Sequence, residues 1–402
     1  MTSPRILLID DEPFQLKLLS QQLLNLGQAH PVDACTSGPE ALLVLSAPTS
    51  GTRLIFLDLN MPGMDGVELI RQLVALDYLG ALVLVSGEDE RILETAVRLG
   101  RAHRLNVLGH LSKPIRPETL RTLLELWSSQ VPEAIRAAHV PYGAAAVQRA
   151  IVGGELVNHY QPKVDVATGS LKGVETLVRW RHPDDGLVFP DQFIGVAEQH
   201  GLINDLTHIV LIEALAQARR WCDAGLTLRV AVNISMDNLT RLDFADFVLS
   251  QITRSGMAAH DLILEVTESR LMTDCRAPLD ILTRLRLKHI SLSIDDFGTG
   301  HSSLTQLRDI PFDELKIDRG FVHGAAQNKT KQAIFTASID IARQLGMQTV
   351  AEGVEDQVDW EFLRQQGCDL AQGYFVAKPM SAEDLPIWLA DWEARRPGLM
   401  QT

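Results

Sequence analysis

Short apolar runs alternate with amphipathic stretches along most of the chain. In the first third the runs fall at residues 6–9, 54–57, 82–85 and 107–111, each β-branched or leucine-rich and each closing on a polar residue. Amphipathic stretches such as 12–26 and 67–76 separate them. This alternation predicts a parallel sheet wrapped by helices over residues 1–127. Residues 128–146 (SSQVPEAIRAAHVPYGAAA) mix small residues with two prolines and read as a linker, helical in part. From 147 to 392 the alternation resumes, with candidate strands at 157–161, 173–179, 228–233, 262–266, 290–295, 314–317, 348–351 and 370–372. About eight strand–helix units in roughly 250 residues predict a (β/α)8 barrel. The last residues, 393–402, are expected to form a frayed tail.

Composition narrows the function classes. A chain of 402 residues holds about two or three domains. No stretch approaches the roughly 18 apolar residues of a membrane span, and MTSPRILLIDDE reaches carboxylates too early for a signal peptide, so a cytoplasmic protein without a membrane partner is expected. Cys35, Cys222, Cys275 and Cys368 are scattered, which suits reduced thiols in such a compartment. The formal net charge of −14, with no basic cluster, argues against DNA as a partner. An anionic substrate would need metal ions or a few placed cations.

Candidate chemistry gathers at predicted strand ends. In the first domain Asp10 and Asp11 close the first strand, Asp58 stands in FLDLNMPGMDG, and Ser86 and Lys113 close two later strands. Ligands of an open α/β sheet bind at this edge. Three carboxylates together call for a hard divalent cation, typically Mg²⁺. Such a cation, with Lys113 and the Ser86 hydroxyl, would offset the charge of a phosphoryl group on Asp58. Taken alone, Asp10 and Asp11 could equally cap a helix, and Asp58 could be an ordinary loop residue. LIDDE, LDLNMPGMDG, VSGED and LSKP, in this order, resemble the receiver domain of two-component response regulators over about residues 4–126. The resemblance implies a flavodoxin-like (CheY-like) fold and phosphorylation of Asp58 by a sensor histidine kinase or phosphotransfer protein. His110 stands three residues before the lysine, where receivers often carry the Tyr or Phe whose ring flips in signalling, a departure from the receiver pattern.

The second domain repeats the pattern at greater length. Glu175, Asn233, Glu265, Asp295 with Asp296, Lys316, Glu352 and Gln372 lie near the ends of successive candidate strands. Barrel enzymes hold their chemistry on this rim. Carboxylates converging there need cations between them, and two divalent metals suit attack on a phosphodiester. Asp295 and Asp296 are consecutive, so the strand must end near Asp295 for both to serve one site. Taken alone, Glu175 reads as a salt-bridge partner of Arg179 or Arg181, and Glu268 and Glu355 as solvated carboxylates at helix starts. His159, His182 and His301 form no metal set by spacing. The segment from Gly153 to Leu156 faintly suggests a diguanylate cyclase signature but reads as a loop before the first barrel strand.

YQPKVD, VETLVRWRHP, VNIS, LEVTES, DDFGTGHSSL, LKIDRGFV, VAEGVE and QGYF, in order over about residues 147–390, resemble the EAL-domain family of cyclic di-GMP phosphodiesterases. The resemblance implies hydrolysis of cyclic di-GMP to linear pGpG, with two Mg²⁺ or Mn²⁺ ions. Glu175, Asn233, Glu265 and Asp295 would hold one metal, and Asp295 and Asp296 would contribute to the second. Lys316 would contact the nucleophilic water. Glu352 would be either the general base or a water-mediated metal partner. Gln161 and Arg179 would contact substrate, Gln372 and Glu355 would support the site, and Glu268 would anchor the DFGTGHSS loop. A homodimer or higher homo-oligomer is implied by the resemblance alone. Two positions depart from the family. Thr176 replaces Ala in the naming triplet, and His301 replaces the commoner Tyr. The alternative is a catalytically weak EAL domain that senses cyclic di-GMP; it would usually show a lost ligand or lysine.

Overall fold

The computed structural model describes residues 5–28, 30–47, 52–76, 78–87, 90–103, 105–135, 142–267, 276–298 and 304–400. The chain divides into two compact units, Met1–Val140 and Pro141–Thr402.

In the first unit, β1 (Arg5–Ile9), β2 (Val32–Cys35), β3 (Thr52–Asp58), β4 (Ala81–Ser86) and β5 (Asn106–Ser112) form one sheet in the order β2-β1-β3-β4-β5. Every pairing is parallel. Alternation along each strand sends side chains to two apolar layers. Leu7, Ile9, Ile55, Leu57 and Leu84 join one core with Leu69 and Leu93. Ile6, Leu8, Leu54, Phe56 and Val83 join the other with Leu19, Leu23 and Leu120. Burial on both faces explains why these strands read as unbroken apolar runs. The fold is flavodoxin-like, as expected. The edge strand β2 has no counterpart among the predicted runs, because its sequence VDAC is short and only Cys35 of it is buried.

In the second unit the strands are β6 (Leu156–Asp165), β7 (Leu171–His182), β8 (Gly186–Val188), β9 (Arg229–Ile234), β10 (Leu262–Thr267), β11 (Ser291–Phe297), β12 (Glu314–Ile317), β13 (Gln348–Ala351) and β14 (Leu370–Ala371). They run in the order β6-β14-β13-β12-β11-β10-β9-β7-β8, and an additional β6–β7 pairing closes eight of them into a barrel. The barrel is TIM-like with one departure: β6 runs antiparallel to both of its neighbours. Its connection to β7 spans only residues 166–170, far short of the dozen or so residues that a parallel crossover needs. The Asp165 carboxylate tightens this turn by accepting from the Thr168 backbone N–H and hydroxyl, both at 2.8 Å.

Outward strand residues pack on the surrounding helices in one large apolar core. The inside of the barrel is different. Register places Asn233, Glu265, Ser293 and Glu314 side by side on β9 to β12. With Lys163 and Lys316 they make the interior a column of polar and charged groups, where barrels usually stack branched apolar residues. Helices extend beyond the sequence reading at the proposed boundaries. Pro117–Ile135 and Ala144–Gly153 enter the expected linker, and Asp384–Met400 runs through the expected tail. The last is held by Trp392, fully buried, whose indole N–H donates to the Gly169 carbonyl at 2.7 Å.

Gly173 on β7 faces this crowded interior. A Cβ there would stand 2.6 Å from the Arg229 backbone oxygen on β9. Gly173→Ala should therefore spread the β7–β9 pair and cost about 1–3 kcal/mol of stability. Urea denaturation checks this: an unchanged midpoint would contradict the close approach.

Candidate functional site

Two clusters of polar side chains lie at strand ends, one in each unit. In the first, the strand order reverses between β1 and β3, the switch point where open α/β sheets bind ligands. Asp10 and Asp11 follow β1, Asp58 is the last residue of β3, Ser86 the last of β4, and Lys113 follows β5. Oxygens of Asp10, Asp11 and Asp58 lie within 4.8 Å of one another. The Lys113 ammonium sits 2.8 Å from both Asp10 Oδ2 and Asp58 Oδ2. Its backbone N–H donates to the Ser86 carbonyl at 2.8 Å, which fixes the end of β5 against β4. Burial pushes the Asp58 carboxyl above its usual range, although Lys113 works against the rise. Burial opposes the charge on Lys113, but hydrogen bonds to Asp10 and Asp58 outweigh it and raise its pKa. His110 is half-buried on β5.

The second cluster is centred on Lys316 of β12. Its ammonium is almost wholly buried and lies 3.0 Å from Glu265 Oε2, 3.0 Å from Asp295 Oδ1, 2.7 Å from Glu352 Oε1 and 3.5 Å from Glu175 Oε2. Glu175 also accepts from Asn233 Nδ2 at 2.8 Å and from Gln372 Nε2 at 2.6 Å. Gln372 Nε2 reaches Gln161 Oε1 at 2.9 Å as well. Thus residues of β6, β7, β9, β10, β11 and β12, with those just past β13 and β14, meet in one network.

Burial sets the electrostatics, and the neighbours decide its direction. Desolvation lifts the Glu352 carboxyl well above its usual range and that of Glu175 also upward, with other carboxylates adding to both. Desolvation equally opposes the charge on Glu265, but Lys163 and Lys316 outweigh it and hold this carboxyl at about 2. Lys316 is raised well above the usual lysine value: burial disfavours its charge, and Asp295, Glu175, Glu265 and Glu352 overcome that.

The two adjacent aspartates reach the same site by a route other than the expected one. β11 does not end at Asp295 but continues to Phe297. Its pairing with β12 shifts register between Ile294 and Phe297, and Asp296 takes a left-handed conformation, φ 57°. Such a bulge breaks the strict alternation of an extended strand. Oxygens of Asp295, Asp296 and Glu352 consequently lie within 4.8 Å of one another. One ammonium among this many carboxylates leaves an excess of negative charge, and clustered oxygen donors are what hard divalent cations take. The donor set therefore fits such ions.

An open cavity of ≈ 240 Å³ leads to this network, lined by Gln161, Glu175, Asp296, Glu352, Glu355 and Gln372 among the expected residues. Arg179 is not part of that lining; its guanidinium lies 5.0 Å from the centre of the Phe189 ring, donates to the Val178 carbonyl, and has its pKa lowered by burial. Glu268 and His301 lie outside the described residues. Thr176 faces away from Glu175, lining a separate cavity beside Asn233 and Ser235. Sequence reasoning passed over Leu177, Asp318, Arg319 and Tyr374, which also line the mouth, and Lys163 and Glu314, which are buried beneath it. All but Glu314 stand inside the quoted motifs at positions with no predicted role, and nothing in their spacing distinguishes them. Gly353 follows Glu352 with φ 65°, and a Cβ there would come within 2.3 Å of Arg319 Cβ, so a glycine lets that arginine side chain approach the mouth.

Comparisons with known proteins agree with this architecture. Residues 144–379 match the EAL domain family, and residues 6–125 match the response regulator receiver domain. Cyclic di-GMP phosphodiesterase RocR of Pseudomonas aeruginosa is 31% identical over 383 residues, which cover 94% of this chain and 97% of RocR. Cyclic di-GMP phosphodiesterase NbdA of the same organism is 43% identical over 244 residues, 60% of this chain and 31% of NbdA. Among solved structures, PaMucR phosphodiesterase in complex with c-di-GMP superposes with a TM-score of 0.57 at 43% identity, over 60% of this chain and 98% of that one. The chain belongs to the EAL-domain family and carries a response-regulator receiver domain ahead of its EAL barrel.

Proposed function

We propose that the chain is a cyclic di-GMP phosphodiesterase that opens its substrate to linear pGpG with two divalent cations, Mg²⁺ or Mn²⁺, under the control of phosphorylation at Asp58. The observation that carries the reading is the buried Lys316 ammonium shared among Glu175, Glu265, Asp295 and Glu352 at the barrel mouth. The names of RocR, NbdA and PaMucR support the choice of substrate.

Glu175, Asn233, Glu265 and Asp295 would hold one cation, with Asp295 and Asp296 contributing to the second. When bound, the pair supplies charge stabilisation and an activated water for displacement at phosphorus. The protein groups divide the remaining work. Lys316 directs an N–H at the nucleophilic water and offsets charge that builds on the phosphate. Glu352, only partly exposed and held well above the usual carboxyl range, takes or relays the proton from that water. Gln372 orients Glu175 through its N–H and keeps its Oε1, which has no hydrogen-bond partner among the described residues, for a donor on the substrate. Gln161 and Glu355 line the mouth and contact the dinucleotide, and Arg179 joins them by swinging off Phe189. The complete donor set favours turnover over simple sensing. In the receiver unit, Asp10 and Asp11 hold a Mg²⁺ ion, while Lys113 and Ser86 bind the phosphoryl group received from a histidine kinase or phosphotransfer protein. The assembly is a homodimer or higher homo-oligomer, acts on a free nucleotide rather than DNA or a membrane, and works in the cytoplasm. Among the described residues no helix is long and apolar enough to cross a membrane.

Three outcomes are expected. Purified protein with Mg²⁺ or Mn²⁺ converts cyclic di-GMP to pGpG, and Glu175→Ala, Asp295→Ala and Lys316→Ala each lower kcat by about 10²-fold or more; nucleotide chromatography that finds turnover intact in any variant removes that residue from the machinery. A small phosphodonor changes the turnover of the wild type and leaves Asp58→Asn unaffected; equal responses would rule out control through Asp58. Because Glu175 and Glu352 hold protons to higher pH than ordinary carboxyls, cation loading should release protons and tighten as pH rises. Calorimetry in buffers of different ionisation enthalpy reads this directly, and binding without proton release would contradict it.

A further inference from the structure

Lys163 of β6 is buried to 2% exposure and has no part in the chemistry above. Its ammonium lies 2.6 Å from Glu265 Oε1 and 3.0 Å from Glu314 Oε1. The other oxygen of Glu265 faces Lys316, so the carboxylate is gripped on both sides. Glu314 is as deeply buried, and its Oε2 has no hydrogen-bond partner among the described residues. A half-satisfied buried carboxylate is costly. Stability does not account for it, because well-packed apolar side chains commonly serve as well as a buried ion pair or better. What Glu314 does supply is a counter-charge that lets Lys163 stand, ionised, behind Glu265.

We infer that Lys163 is a positioning residue: anchored by Glu314, it fixes one oxygen of Glu265 so that the other stays aimed at the cation-binding mouth. The inference rests on the reading of Glu265 as a metal ligand. Groups that orient a ligand from behind typically govern metal affinity by 10–100-fold. Charge alone predicts the opposite, since removing a nearby cation should tighten the binding of another.

The test separates the two. Lys163→Met combined with Glu314→Gln removes one charge of each sign and leaves the net charge unchanged. Mn²⁺ binding is measured by calorimetry on the full chain in an Asp11→Asn background, which removes the receiver's contribution. The expected result is about tenfold weaker binding at the mouth, with kcat for cyclic di-GMP reduced at least as much and KM within about twofold of wild type. A second pair, Lys163→Gln with Glu314→Gln, keeps a donor facing Glu265 and should recover part of the lost affinity. Thermal unfolding of the metal-free proteins runs alongside. Wild-type affinity and kcat in both pairs, whatever their melting temperatures, overturn the inference alone. Failure of the parent protein to bind Mn²⁺ at the mouth overturns the metal-site reading with it.

Discussion

The Lys316 ammonium, sealed in the barrel mouth against four carboxylates, is the contact on which the rest of the site depends. Removing charges from water is expensive, and a buried ion is tolerated only when its partners are close and well satisfied. Here the carboxylates outnumber the cation. The fold spends a central position on each of these acids, although apolar residues would pack a barrel more simply. A store of negative charge without enough protein cations to balance it is the condition under which divalent metals bind, and it adds to the burial that raises the carboxyls of Glu175 and Glu352.

The barrel's irregularities serve that arrangement. The antiparallel β6 brings Gln161 and Lys163 into the interior from a strand that a regular barrel would run the other way. It puts Gln161 opposite Glu175 in register, where Gln372 can bridge them. The bulge at Asp296 gives two successive residues access to one site, at the cost of a left-handed non-glycine residue. Strain of this kind, about 1–3 kcal/mol, persists where the surroundings enforce it and is common at functional sites.

Much of this was legible in the sequence, and the failures have physical causes. Apolar runs marked the buried parallel strands because both of their faces are covered, whereas β2, an exposed edge, left no such run. The β6–β7 hairpin could have been read from the helix-free interval around ATGS, since five residues permit no crossover. The acids near strand ends were found because that rim collects functional groups in every barrel. The bulge was not, since alternation assumes an extended strand and the left-handed Asp296 breaks it. Lys163 and Glu314 were missed for a different reason: a lysine within a strand reads as a solvated residue until the closing strand shows that it points inward.

The receiver unit repeats the same physics on a smaller scale, with Lys113 shared between Asp10 and Asp58 and a third acid beside them. In both units a buried or half-buried lysine is shared among acids whose combined charge exceeds its own. The most direct measurement is therefore a count of bound Mn²⁺ by electron paramagnetic resonance. The account predicts three ions per chain at saturation, two at the barrel mouth and one in the receiver, and a single ion in Asp295→Asn. One ion in the wild type, or three in the variant, would contradict it.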